Sequence, residues 1–438
     1  MAGAARSGDE RRQKVNDTIF AVSSGAPPAA IAVMRISGLD ADAALRALTT
    51  IALPEPRYAA LRRLSANGEQ LDSAIAIRFP GPNSATGEDL VELHLHGGRA
   101  TIAAVSAALT QIPGLRPAEP GEFTRRAFEN GRLDLSEAEG LSDLLAAETE
   151  HQRRSALALA SGGLSRIVEG LLSELLAASA RVEAAIDFAE EDDVSPWPER
   201  AAVLGAMAAR IEALLANPPA ERLRDGVRVA IAGPPNAGKS TLINVLVSRD
   251  AAITSPIAGT TRDLIEVPVQ LDGLPLVFID TAGLRDETDD SIEAIGISRA
   301  EAVVASSDLL LWLGDPDQAP HRAGVIAIRA KADLSAAPDD PRIAVSAMTG
   351  VGMIELTQAI VTAAKALLPP IDAIALNMRQ RACLVDLVAH VRAAAEIHDL
   401  ILSAEHLRLA RLAIDRLMGR AGVEDMLDAL FGTFCIGK

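Results

Sequence analysis

The sequence predicts a mixed fold: an α+β segment, then an all-α block, and an α/β segment with a mostly parallel sheet inserted into that block. Three observations predict it. Short β-like runs separated by Gly, Pro and Ser clusters fill residues 17–115. Ala/Leu/Glu/Arg-rich helical periodicity appears twice, before residue 215 and after Pro369-Pro370. Between residues 227 and 368, runs that are apolar on both faces alternate with helical ones.

The elements follow in order. Met1–Asn16 is polar, carries both signs of charge and lacks an apolar core, so it reads as a frayed tail and not as a secretory signal. Ile19–Val22, Ala30–Met34, Ala74–Ile77 and Val91–Leu95 read as strands; Ala41–Thr50 and Ala100–Gln111 have helical apolar spacing. Glu137 to Leu215 is helical, with one break at Asp187–Pro198. That break holds Glu190-Glu191-Asp192-Asp193, a run that reads as a solvated interhelical loop. Val229–Ala232, Leu276–Ile279, Leu309–Trp312, Val325–Ile328 and Ile343–Val345 are the candidate strands of the parallel sheet. Helical texture then resumes up to Phe434. The expected segments are 1–130 (α+β), 131–225 and 369–438 (two halves of one helical domain) and 226–368 (the insertion). No fixed-period repeat is present.

A chain of 438 residues is long enough for about two to four domains. Its 49% hydrophobic content excludes a disordered chain. With 42 Lys and Arg against 59 Asp and Glu, the net charge of −17 argues against broad, unspecific nucleic-acid binding, which phosphate neutralisation drives. A local basic site, or a partner that brings the nucleic acid, is still compatible with it. The 2 cysteines exclude a disulfide framework and point to a reducing, cytoplasmic compartment. No apolar run approaches the roughly 20 residues that span a bilayer, so no membrane association is expected.

Gly233-Pro234-Pro235-Asn236-Ala237-Gly238-Lys239-Ser240 matches G-x-x-x-x-G-K-[ST] between a predicted strand and a predicted helix that opens with Thr241 and Leu242. Its glycines let backbone N–H groups face phosphates, Lys239 neutralises the β/γ-phosphates and Ser240 offers a hydroxyl to Mg²⁺. Asp280-Thr281-Ala282-Gly283 ends a later apolar strand. There Asp280 can hold a Mg²⁺ water and the Gly283 N–H can sense the γ-phosphate. Between the two lies Gly259-Thr260-Thr261, with Thr261 expected to complete the Mg²⁺ shell when the γ-phosphate is present. In this order the three motifs signal a GTPase. For the base, Ala330-Lys331-Ala332-Asp333 stands where Asn-Lys-x-Asp is usual. Asp333 can accept from the guanine N1–H and N2–H₂, Lys331 can lie over the base, and Ser346-Ala347-Met348 fits the loop at the guanine oxygen. The missing Asn predicts weaker affinity with specificity kept.

Leu284 occupies the position of the water-orienting glutamine of Ras-like enzymes and cannot do that work. Asn236 can instead give a side-chain oxygen to a monovalent cation beside the phosphates, supplying the charge an arginine finger supplies elsewhere; a turn-stabilising asparagine is the plainer account. Ser255-Pro256-Ile257-Ala258-Gly259-Thr260 can fold over that ion and add carbonyl oxygens, leaving the water-orienting group to the acidic stretch Asp286–Glu293.

These motifs, with three further segments, resemble the MnmE (TrmE) family of tRNA-modification GTPases. The segments are Pro82–Asp89 running into Val91–Gly98, Gly121–Phe128 running into Gly131–Leu135, and the terminal Phe434-Cys435-Ile436-Gly437-Lys438. The likeness extends over nearly the whole chain from Asp17. It implies an N-terminal α+β domain of folate-binding type that dimerises and holds a 5-formyl-type tetrahydrofolate, a split helical bundle and an inserted Ras-like P-loop domain. It also implies an FAD-containing partner of MnmG (GidA) type, bound in a heterotetramer or larger complex, and a joint reaction placing a carboxymethylaminomethyl-type group on C5 of the wobble uridine of certain tRNAs. Carried over, Arg35, Glu92, Arg132 and Lys438 bind the folate; Asn236, Ser255, Ile257 and Thr260 bind K⁺; Ser240 and Thr261 bind Mg²⁺; and Glu293, placed by Glu-x-Ile-Gly-Ile, orients the water. Arg132 stands where Lys is frequent, which keeps charge and changes geometry.

The other candidates have plainer readings. Glu92, His94 and His96 share one strand face; a pocket lining accounts for them more simply than a metal site. Cys435 can be a nucleophile or merely an exposed tail thiol. The arginines of the last helices (Arg379, Arg381, Arg408, Arg411, Arg416, Arg420) can meet tRNA phosphates or line a solvated face. A rival function is a GTP-dependent binding switch of ribosome-assembly type. A plain ATPase is disfavoured by Asp333.

Overall fold

The computed structural model describes residues 17–187, 197–249, 266–280, 301–334, 339–421 and 424–438. The expected frayed tail (1–16) and the acidic run Glu190–Asp193 fall outside them. The chain forms two compact units: residues 1–139 with 418–438, and residues 140–417.

The first unit is built on a six-stranded sheet of order β3-β4-β5-β2-β1-β6. The strands are β1 Thr18–Val22, β2 Ile31–Ser37, β3 Ala60–Ala66, β4 Glu69–Phe79, β5 Leu90–His96 and β6 Leu115–Pro117. Neighbours are antiparallel except β1 and β6. Asn67 and Gly68 both take positive φ (52° and 81°) in the β3–β4 hairpin, where the twist of the strands favours such a turn. Helices Ala41–Leu48 and Arg99–Thr110 cover one face, packing Leu45, Leu48, Val105 and Leu109 on Met34, Ile36, Leu93 and Leu95. Strand alternation turns Arg35, Glu92 and His94 to the other face.

The last residues of the chain are part of this unit. The helix Glu424–Gly432 brings Phe431 within 6.3 Å of Phe128 on the helix Glu122–Glu129. Gly121, at φ 69°, has no room for a side chain, since a Cβ there would lie 2.2 Å from the Phe431 carbonyl oxygen. Pro120 and Ile436 form a β-bridge, and Ser23 Oγ donates to the Gly437 carbonyl at 2.7 Å.

The second unit holds a six-stranded sheet of order β12-β11-β10-β7-β9-β8. Its strands are β7 Val227–Ala232, β8 Glu266–Leu271, β9 Leu274–Asp280, β10 Leu309–Trp312, β11 Val325–Arg329 and β12 Ile343–Ala344. All neighbours are parallel except β8 and β9. One face packs Val229, Ile231 and Phe278 under Leu242 and Leu246 of the helix Lys239–Arg249 and Leu356 and Ile360 of the helix Met353–Leu367. The other packs Ala230, Ile279 and Leu310 with Val303. Cover on both faces explains the continuous apolar runs.

The longer helices of this unit pack on one another. Met378–Glu396 packs on Arg200–Leu215 and on Leu400–Leu417, which in turn packs on Gly163–Asp187. Capping boxes start two helices: Thr149 with Gln152, and Asn377 with Gln380. The Gln152 amide also donates to the Leu223 and Arg224 carbonyls of the short helix Glu221–Asp225, which leads into β7. The backbone N–H of Ala220, just before that helix, donates to the Leu376 carbonyl at 3.0 Å, so the way into the sheet is hydrogen-bonded to the way out. Among the described residues no helix is long and apolar enough to cross a membrane.

Candidate nucleotide site

The phosphate-loop sequence joins the carboxyl end of β7 to the helix Lys239–Arg249. β7 lies between β9 and β10, so the chain runs from it to both sides of the sheet. In open parallel sheets the crevice at such a switch point is where ligands bind. The local backbone is unusual in the way a phosphate cradle requires. Gly233, Asn236 and Gly238 take φ of 150°, 59° and 97°. The first and last are glycines because a side chain is strained there; Asn is among the few non-glycine types that tolerate the left-handed region. At Gly233 a Cβ would also lie 3.1 Å from the Leu313 side chain.

Lys239 is buried at 8% exposure, and its Nζ donates to the carbonyl oxygens of Gly233 (3.1 Å) and Pro234 (3.0 Å). The ammonium is thus held within the loop that a phosphate would occupy. β-Sheet register sets Asp280 directly beside Ile231, at the same end of the sheet. From there Asp280 Oδ2 accepts a hydrogen bond from Ser240 Oγ at 3.0 Å. A hydroxyl and a carboxylate oxygen converging at the mouth of the loop are hard donors of the kind that suit Mg²⁺. These residues would hold the ion, which supplies charge neutralisation for the phosphates.

The segment expected to read the base follows β11. Lys331, at φ 57°, donates through Nζ to the Asn236 carbonyl at 2.7 Å. A hydrogen bond from Ser346 holds the Asp333 carboxylate below the usual carboxylate range. Ser346 is itself fixed: it is 1% exposed, its N–H donates to the Val351 carbonyl and its Oγ accepts from Thr349 N–H. Ala347 follows it, and Met348 is 82% exposed. Gly352, at φ 72°, closes the turn; a Cβ there would lie 1.8 Å from the Ala344 carbonyl oxygen. The partnership of Ser346 with Asp333 was not readable from the motif, because it joins the ends of two different strands.

Asn236, Ala237, Gly238, Lys239, Ser240, Thr241, Asp280, Lys331, Asp333, Ser346, Ala347 and Met348 are therefore at one end of one sheet. Ser255, Pro256, Ile257, Ala258, Gly259, Thr260, Thr261, Thr281, Ala282, Gly283 and Glu293 lie outside the described residues, as does the stretch Asp286–Glu293.

In the first unit Arg35 and Glu92 are directly opposite across β2 and β5. Arg35 Nη2 lies 2.8 Å from Glu92 Oε1, and His94 Nε2 lies 3.7 Å from Glu92 Oε2. The Arg35 guanidinium stands 5.8 Å from the ring centre of Phe123, whose backbone N–H donates to the Lys438 carbonyl at 3.2 Å. Phe123 thus touches two of the four expected folate residues, Arg35 and Lys438, and Glu92 is paired with Arg35. Arg132 is on the turn after the helix Glu122–Glu129, exposed, with no hydrogen bond or ion pair to the other three among the described residues. Phe123 itself is buried at 2% exposure against Ile19, Ala21 and Ala118, so the polar groups left for a ligand on this face are the partly exposed Arg35, Glu92 and His94.

The central parallel sheet, its phosphate loop and its guanine-type carboxylate define a P-loop GTPase. Residues 18–132 match the family model described as GTP-binding protein TrmE N-terminus, and residues 135–435 match the MnmE helical domain. The chain is 54% identical over 424 residues to a protein of Erythrobacter litoralis named tRNA modification GTPase MnmE, spanning 96% of this chain and 100% of that one. Proteins of the same name from Rhizorhabdus wittichii (56% over 431 residues, 97% of each chain) and Novosphingobium aromaticivorans (52% over 438 residues, 97% of this chain and 100% of that one) are also similar. The chain belongs to the MnmE family of tRNA modification GTPases.

Proposed function

We propose that this protein is a K⁺-stimulated GTP hydrolase of the cytoplasm. With an FAD-containing partner of MnmG (GidA) type, it takes part in adding a carboxymethylaminomethyl group to C5 of the wobble uridine of certain tRNAs. Family membership supports the tRNA reaction, and the Ser240–Asp280 pair at the mouth of the phosphate loop carries the hydrolase reading. In this reading Lys239 leaves the Gly233 and Pro234 carbonyls for the β/γ-phosphates, and loop N–H groups take the remaining phosphate oxygens. Ser240 and Thr261 hold Mg²⁺, with Asp280 behind them. Asn236, Ser255, Ile257 and Thr260 would hold K⁺, which would supply positive charge beside the phosphates. Glu293 orients the attacking water. Asp333 selects guanine, and Lys331 carries the base loop onto the phosphate loop.

The same proposal gives the first unit a 5-formyl-type tetrahydrofolate, held by Arg35, Glu92, Arg132 and Lys438, and a homodimer contact. The partner then joins in a heterotetramer or larger complex, and FAD belongs to it alone. Nucleoside mass spectrometry of tRNA from a strain lacking this protein tests the function. Loss of the modified wobble uridine is expected. Unaltered wobble uridines, with GTP turnover intact in the purified protein, would favour the GTP-dependent binding switch instead.

A further inference from the structure

The helix Glu150–Ala160 begins where the chain crosses into and out of the nucleotide-binding sheet. At the way out, buried His151 donates through Nε2 to the Pro369 carbonyl at 3.0 Å, just past the helix Met353–Leu367. At the way in, the Gln152 amide is fully used. Its Oε1 accepts from the backbone N–H groups of Glu148 (3.0 Å) and Thr149 (2.9 Å), where the helix starts. Its Nε2 donates to the carbonyls of Leu223 (3.0 Å) and Arg224 (3.2 Å), in the short helix Glu221–Asp225 that leads into β7. The helix Glu150–Ala160 also packs on β9, the strand that ends at Asp280.

From Glu221–Asp225 the contacts continue into the sheet. Arg222 Nε donates to Asp308 Oδ1 at 2.8 Å, and Asp308 Oδ2 accepts from the Arg228 N–H of β7 at 3.0 Å. Asp308 follows the helical residues 301–306, which come after the expected γ-phosphate sensor Gly283 in the chain. Arg322 closes that helical end by donating to the carbonyls of Val304, Ser307 and Asp308 and to Ser307 Oγ. Val303 of the same stretch packs with Ile279, one residue before Asp280.

These links occupy backbone groups that a helix end leaves without an internal partner. Arg322 takes carbonyls after residues 301–306, Gln152 Nε2 takes the last carbonyls of Glu221–Asp225, and Gln152 Oε1 takes N–H groups at the start of Glu150–Ala160. Rigid segments joined end to end by hydrogen bonds, one of them an ion pair, shift together more readily than apart. We propose that Asp308, Arg222 and Gln152 are positioning residues that carry the nucleotide state of the sheet into the helical bundle. The relay rests on the GTPase reading above and supplies its link to the rest of the chain.

Gln152→Glu separates the two halves of the amide. A glutamate keeps the acceptor for Glu148 and Thr149, as in any capping box, and sets an oxygen against the Leu223 and Arg224 carbonyls in place of the N–H donors. The full-length protein is compared with GDP and with a non-hydrolysable GTP analogue by amide hydrogen exchange and mass spectrometry. In the unaltered chain, peptides covering residues 149–160 are expected to exchange at rates that differ about threefold or more between the two nucleotides. Gln152→Glu should remove that difference while GDP affinity and GTP turnover stay within about twofold, a split that loss of a helix cap alone would not produce. Arg222→Met cuts the relay at its other link and should act alike; it carries the test alone if Gln152→Glu loses GDP affinity. Peptides that ignore the nucleotide in the unaltered chain, or a difference that survives the cut, overturn the relay. Absent GTP turnover in the unaltered chain would overturn the GTPase reading instead.

Discussion

Lys331 Nζ donates to the Asn236 carbonyl at 2.7 Å, so the segment expected to read the base is tied to the phosphate-loop sequence. The family's usual Asn is Ala330 here, which makes this lysine the visible tie between the two. Lys331→Ala is expected to weaken GDP binding about tenfold, or about 1.4 kcal/mol, as loss of a charge-assisted hydrogen bond predicts. Titration with a fluorescent GDP measures it. Undiminished affinity would mean that the tie holds nothing in place.

GTP turnover is expected to be higher in KCl than in NaCl at equal ionic strength. Asn236→Ala should erase most of that difference. Equal rates in both salts for the unaltered protein would remove the ion-binding role from Asn236.

Glu293→Ala should lower turnover on the order of a hundredfold and leave nucleotide affinity within about twofold, since a group that orients water acts mainly on the transition state. Single-turnover hydrolysis beside a binding titration separates the two. A near-normal rate reassigns the role to another member of Asp286–Glu293.

Gly437 sits at φ 97°, and a Cβ there would lie 2.0 Å from the Val22 carbonyl oxygen. Gly437→Ala must therefore shift the tail and carry Lys438 away from Phe123. Affinity for 5-formyltetrahydrofolate is expected to fall at least tenfold with GDP binding unchanged. Calorimetry with the two ligands is the check, and an unaffected folate isotherm would detach the tail from that site.

His390 and His406 share a hydrogen bond, Nδ1 to Nδ1 at 3.2 Å, in which one ring donates and the other accepts. Burial, then the neighbouring His406, pushes the His390 pKa below 6.5; Arg416 acts in the same sense, Asp386 and Glu405 against it. The fold therefore favours the neutral ring. The stability this lends is present above the unfolded value of 6.5 and is lost as pH falls through the lower folded value. The thermal midpoint should drop between about pH 7 and pH 5, less steeply in His406→Gln. Superimposable pH curves for the two proteins would count against the pair.

The sequence revealed those elements whose local chemistry is unambiguous. Leu309–Trp312 reads as a strand because it is apolar throughout, and the sheet buries it on both faces. Three strands escaped notice, one of them the three-residue β6, too short to show a period. β3 is Ala-Leu-Arg-Arg-Leu-Ser-Ala at a sheet edge, where only Leu64 is fully buried, so its polar residues mask the pattern. β8 contains Pro268, which speaks against a strand unless it lies at an edge, as β8 does. In the nucleotide site the phosphate loop and Asp280 were legible as motifs. The Ser346 support of Asp333 was not, because sheet order alone brings the ends of β11 and β12 together.

The helices Arg200–Leu215 and Met378–Glu396 pack together although the whole nucleotide-binding sheet lies between them in the chain. A ribosome adding about 5–20 residues per second spends on the order of ten seconds on that interval. During it the helix Arg200–Leu215, with Leu204, Met207 and Ile211 fully covered in the finished protein, still lacks the helix Met378–Glu396 that packs on it. The sheet can meanwhile emerge and take up its nucleotide. Birth of this protein thus exposes a greasy half-bundle for seconds, a natural client for a chaperone, and its assembly is completed from the middle of the chain outward.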